Sequence, residues 1–151
     1  MVDIVDTAVR SRMMASIKSR NTKPEMLVRR FLHSEGFRYR LHPSGLPGKP
    51  DILLPRYKVA IFVHGCFWHR HEGCKYATTP DQNNEKWQDK FRKNVERDKK
   101  QVTALLNEGW KVIVIWECSL RTPGHGLSWI AARIREGKFN YIEWPPLKKS
   151  R

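Results

Sequence analysis

The chain has 151 residues, 40% hydrophobic and 11% aromatic, which suits a single domain with a real core and excludes wholesale disorder. Its 29 Lys and Arg against 15 Asp and Glu leave a net charge of +14, which points to a polyanionic partner; a basic surface that merely aids solubility is the plain alternative. Apolar runs such as Val112–Trp116 fall far short of the roughly 20 residues of a membrane span. The opening Met1–Asp6 is acidic where a secretory signal is basic, and three cysteines make an odd number for a disulfide framework. A reducing, cytoplasmic setting is expected.

Residues 1–20 read as a basic arm or helix. Thr7–Ser19 lack Gly and Pro and set Val9, Met13, Met14 and Ile17 at helical spacings among Arg10, Arg12, Lys18 and Arg20. An ordinary solvated amphipathic helix fits that pattern equally well. The main domain is expected over 21–140. Thr22-Lys23-Pro24-Glu25 has the form of a capping box, with Pro inside the first turn. Leu27, Val28, Phe31 and Leu32 then make an apolar stripe, and Gly36 is placed to end the helix.

Phe37, Tyr39 and Leu41 alternate as a strand does, and His42–Pro50 is a loop rich in Gly and Pro. Ile52–Leu54 and Val59–Val63 predict two strands joined by a turn around Pro55–Lys58. A long polar helix is expected from about Gln82 to Asn107, stopped by Gly109. Trp110–Glu117 reads as a buried strand and Leu127–Arg135 as a last helix. Residues 141–151 read as a loose basic tail. This order predicts one α/β domain with a mixed central sheet flanked by helices.

Three features carry chemistry. Cys66, His71 and Cys74 lie within nine residues, and Cys118 follows the buried strand. Three thiolates and one imidazole complete a closed tetrahedral zinc site of the structural type. Three free buried cysteines with a surface histidine are the alternative.

The second feature is Lys49-Pro50-Asp51 at the head of a strand. In the layout of PD-(D/E)xK nucleases such an Asp holds Mg2+, but Phe62-Val63-His64 on the next strand offers neither acid nor Lys. Val63 has only a backbone carbonyl to lend.

The third lies on the long helix, where Trp87, Phe91, Val95, Val102, Leu105 and Leu106 define a buried face. Asp98 falls on the same stripe, where an acid is costly unless it is paired. It is suited either to a salt bridge or to orienting a histidine base, for which His64 and His69 are at hand. Phe67 and Trp68, between Cys66 and His69, are either a wedge for DNA or a small core over the zinc.

The run His64-Gly65-Cys66-Phe67-Trp68-His69, with His71 behind it, resembles the very-short-patch repair (Vsr) DNA mismatch endonucleases. The likeness extends to Val9–Arg12, to Leu46–Asp51, to Lys93–Asp98 and to Gly109–Cys118. It implies a type II restriction-endonuclease-like fold with a structural Zn2+. It also implies a Mg2+-dependent enzyme that nicks 5′ of the T in a T·G mismatch left by deamination of 5-methylcytosine.

Carried over by residue, the resemblance gives Asp51 and the Val63 carbonyl to the Mg2+. His69 becomes the general base and Asp98 its orienting acid, with His64 and Glu25 lining the site. Cys66, His71, Cys74 and Cys118 bind zinc, while Phe67, Trp68 and Met14 intercalate at the mismatch. The partner is mismatched double-stranded DNA, with a functional link to a cytosine-5 DNA methyltransferase and to mismatch-repair proteins. One asymmetric mismatch suits a monomer acting at the bacterial nucleoid. Two other readings stay open: a less selective duplex or mismatch nuclease, and a zinc-stabilised DNA-binding protein without catalysis, which leaves Asp51 and two histidines idle.

Overall fold

A computed structural model describes residues 22–121 and 126–146. The expected arm, Met14 included, lies outside the described residues. Thr22 accepts the Glu25 amide at 3.3 Å and caps helix α1 (Lys23–Ser34), with Pro24 in its first turn. Gly36, at φ +84°, turns the chain out of the helix, and Phe37 donates back to the Leu32 carbonyl at 3.0 Å. There follow β1 (Arg40–Leu41), β2 (Ile52–Leu54), β3 (Val59–His64), α2 (Asn84–Asn107), β4 (Lys111–Trp116), a 3-10 turn (Glu117–Arg121), α3 (Leu127–Glu136) and β5 (Tyr141–Trp144).

The strands form one sheet in the order β1-β2-β3-β4-β5. The pairs β1–β2 and β2–β3 are antiparallel; β3–β4 and β4–β5 are parallel, with His64 opposite Trp116. Alternate strand residues serve two cores. Ile52, Leu54, Val59, Ile61, Ile113 and Ile115 face α1 and α3 through Val28, Leu32, Ile130 and Ile134. Leu53, Ala60, Phe62, Val112, Val114 and Trp116 face Leu105 of α2. Cover on both sides is the reason that β3 and β4 read as continuous apolar runs.

Three expectations are corrected. The strand expected over Phe37–Leu41 pairs only at Arg40–Leu41, because Phe37 turns into the core against Tyr57, ring centroids 5.5 Å apart. On α2 only Phe91 and Leu105 are fully buried; Trp87, Val95, Val102 and Leu106 are half-covered, since the helix meets the sheet near its C-terminal end. The segment expected to be loose from 141 onward instead supplies β5, which registers Ile142 against Ile113 and buries it. No helix among the described residues is long and apolar enough to cross a membrane.

Candidate active site and metal centre

One end of the sheet collects the reactive side chains. The Asp51 amide donates to the Ile61 carbonyl at 2.9 Å, which sets this residue at the head of β2 beside the C-terminal end of β3. There the Val63 amide donates to Asp51 Oδ2 at 2.8 Å. Glu25, only 1% exposed, reaches the same place from α1. Burial pushes the Asp51 carboxyl from 3.8 to about 7; the Val63 amide opposes the shift, and the neighbouring Glu25 charge reinforces it.

Glu25 is in turn held by Arg29, whose Nη2 donates to Oε2 at 2.5 Å, and lies 3.3 Å from His42 Nε2. His42, Glu25 and Asp51 have ligand atoms within 4.8 Å of one another. The hard carboxylate oxygens of Asp51 and Glu25 suit Mg2+.

A second cluster adjoins it. His69 Nδ1 meets Asp98 Oδ2 at 2.6 Å, which joins the loop after β3 to the middle of α2. The acid on the apolar stripe is thus paired, as its position requires. His64 lies face to face with His69, centroids 3.9 Å apart and planes 3° from parallel. Burial, and then the charge of His69, hold His64 well below the usual imidazole range, so it stays neutral. His69 also acts electrostatically on Asp51. The two clusters form one site.

The third cluster stands behind that loop. Cys66, His71, Cys74 and Cys118 have ligand atoms within 4.8 Å of one another. His71 Nδ1 is 3.7 Å from Cys66 Sγ and 3.4 Å from Cys118 Sγ. These distances bracket the edge of roughly 3.5 Å expected for a tetrahedron with metal–sulfur bonds of about 2.3 Å and metal–nitrogen bonds of about 2.0 Å. Burial and the neighbouring thiols raise Cys66, and burial raises Cys118, so a bound metal must displace protons there. The donor set fits a tetrahedral ion. Trp116 stacks on His71 at 4.4 Å and is fixed by its Nε1 bond of 2.7 Å to Glu143 of β5.

The sequence profile of the family described as DNA mismatch endonuclease Vsr matches residues 2–75. The type II nicking enzyme V.NmeAIP of Neisseria meningitidis is 50% identical over 121 residues, covering 80% of this chain and 86% of its own length. The type II nicking enzyme V.XorIIP of Xanthomonas oryzae is 44% identical over 135 residues, covering 89% and 96%. The DNA mismatch endonuclease Vsr of Escherichia coli is 40% identical over 121 residues, covering 80% and 77%.

The chain belongs to the Vsr family. It is a DNA endonuclease with that family's restriction-endonuclease-like fold. In this Vsr protein the aromatic pair Phe67 and Trp68 rests on α2. Phe67 packs edge-on against Trp87 and Phe91 at 5.7 and 5.2 Å, and Trp68 lies 5.9 Å from Trp87. Both rings stay half-buried, with Lys90 5.0 Å over Trp68. Arg70 stitches this loop by donating to the carbonyls of Phe67, Ala77 and Thr78.

The site residues read from the sequence within the described region thus meet in three adjoining clusters beside this ring patch. Reasoning from the sequence missed His42, assigned there only to a loop. Its one visible signal was its place immediately after the alternating Phe37–Leu41 segment, which sets it opposite Asp51 on the paired strand.

Proposed function

We propose that this protein nicks DNA 5′ of the T in a T·G mismatch produced by deamination of 5-methylcytosine, with Mg2+ as catalytic ion and Zn2+ as structural ion. The single observation that carries the reading is the 2.6 Å contact between His69 and Asp98 beside the Asp51–Glu25 pair. That pairing of an oriented imidazole with a hard-oxygen cation site is what phosphodiester hydrolysis needs.

Asp51 and the Val63 carbonyl would hold Mg2+, which would supply neutralisation of the charge that builds on the phosphoryl oxygens. Asp98 accepts the Nδ1 proton of His69 and leaves Nε2 free to take a proton from the attacking water. His64, kept neutral by burial, packs flat on that ring and fixes its plane. Glu25 would accept hydrogen bonds from water bound there. Phe67, Trp68 and Met14 insert at the mismatch, where unstacking costs least. Cys66, His71, Cys74 and Cys118 bind zinc and keep the His64–Cys74 loop in shape.

The protein works as a monomer in the cytoplasm, on duplex DNA, in functional connection with a cytosine-5 DNA methyltransferase and mismatch-repair proteins. The test is a nicking assay on strand-labelled duplexes carrying T·G or C·G at one position, each with Mg2+ or EDTA. Cutting confined to the position 5′ of the mismatched T, dependent on Mg2+ and abolished by Asp51→Ala, is the expected result. Equal cutting of both duplexes makes it a less selective nuclease, and full activity of the Asp51 variant overturns the metal assignment.

A further inference from the structure

His42 stands at the junction of three elements, and none of the roles assigned above uses it. Its amide donates to the Asp51 carbonyl at 3.0 Å, continuing the β1–β2 pairing by one residue. It then leaves the strand at φ +45°, left-handed backbone that a side chain-bearing residue adopts only at a cost. That turn brings the ring back over the sheet end, where Nε2 lies 3.3 Å from Glu25 Oε2. The side chain is 16% exposed, and Nε2 itself is buried without an aligned hydrogen bond. A buried polar atom left so is expensive unless the site makes use of it.

Arg29 bonds the same oxygen of Glu25 but sits one helical turn further along α1. It therefore moves with Glu25 and sets the carboxylate's rotation on the helix, not its distance from the sheet. His42 differs because its own backbone is tied to Asp51. A proton on Nε2 makes the ring a strut between the acid of α1 and the acid of β2.

We infer that His42 is a positioning residue, one that holds the Glu25 carboxylate in register with Asp51. The inference rests on the reading of Asp51 and Glu25 as the catalytic cation site. The glutamine side chain offers an N–H donor at a similar reach, whereas alanine offers none.

Single-turnover nicking by wild type, His42→Gln, His42→Ala, Glu25→Gln and the double variant His42→Ala/Glu25→Gln tests it, with thermal unfolding of each protein alongside. His42→Ala is expected to slow nicking about tenfold or more, the scale for loss of a group that orients a ligand. His42→Gln is expected to recover most of that rate even where both variants unfold at the same lowered temperature. In the Glu25→Gln background the alanine substitution should slow nicking no further, the signature of two residues acting as one.

Calorimetric titration of DNA-free protein with Mg2+ supplies a readout independent of turnover, with weaker binding to His42→Ala than to His42→Gln. A fully active His42→Ala, a glutamine variant as slow as alanine, or additive losses in the double variant overturns the inference. If Glu25→Gln is itself fully active, the assignment of Glu25 falls and the inference falls with it; a dead Glu25→Gln beside an active His42→Ala overturns the inference alone.

Discussion

On the proposed mechanism Asp98 has a single chemical task, which is to hold one tautomer and one orientation of His69 across 29 positions of sequence. Replacing it with asparagine keeps the shape but removes the charge and allows the wrong tautomer. Nicking by Asp98→Asn is expected to fall by between about 10²- and 10⁴-fold with mismatch binding unchanged, measured by single-turnover rates and fluorescence anisotropy. Loss of binding in step with rate would make the pair structural instead.

Asp51 carries a pH consequence. Its folded value near 7 lies above the ordinary 3.8, so in metal-free protein this group's stabilising contribution is complete below 3.8 and is lost as pH rises through about 7. A divalent cation reverses the preference because it binds only the ionised form. Mg2+ affinity, followed by calorimetry, is therefore expected to weaken about tenfold for each pH unit below 7 and to level off above it. A flat profile from pH 5.5 to 8 would contradict Asp51 as a ligand with this raised value.

At the scale of elements, the sequence revealed what was local and periodic. Val28 and Leu32 at helical spacing, Thr22 with Pro24, and the unbroken β3 and β4 runs each state their environment in neighbouring residues. The zinc-type ligand spacing and the need of Asp98 for a partner were legible for the same reason. Less legible was anything decided by distant packing. Tyr141 and Glu143 alternate with Ile142 and Trp144 as a strand should, but four residues beside Pro145 and Pro146 carry too little signal against the basic tail. His42 gave only its place after the Phe37–Leu41 alternation, because its contact with Glu25 is set by a backbone turn.

Trp144 also explains Gly126, which opens α3 at φ +79°. A Cβ there would stand 2.3 Å from the Trp144 ring. Gly126→Ala is expected to destabilise the fold by about 2 kcal/mol or more in urea unfolding, since neither the backbone angle nor the indole can yield cheaply. An unchanged midpoint would mean that the β5–α3 contact is looser than drawn.

For the whole molecule, the two centres share a single support. The C-terminal ends of β3 and β4 lie side by side; one leads to His69 and Cys66, the other to Cys118. On the proposed function, damage to the thiol centre would therefore reach catalysis through the loop. Freshly purified protein is expected to hold one Zn2+ per chain by elemental analysis. Stripping it with a zinc-selective chelator should lower the melting temperature by about 10 °C or more and stop nicking, and Cys118→Ser should do the same without chelator. Protein that contains no zinc, or melts unchanged after chelation, would refute the assignment.

The parallel alignment of β3 with β4 has a kinetic side. His71 and Cys118 are 47 positions apart, with the whole of α2 between them, while Cys66 and Cys74 are close neighbours of His71. A refolding chain can offer three donors early and locally, but the fourth arrives only when the long crossover has closed, the slow step in parallel pairing. If these residues bind zinc as proposed, tight ion capture would then mark the end of folding rather than its beginning. A fluorescent zinc indicator added to a refolding reaction would serve as a clock for the crossover, its signal falling in step with the burial of Trp116.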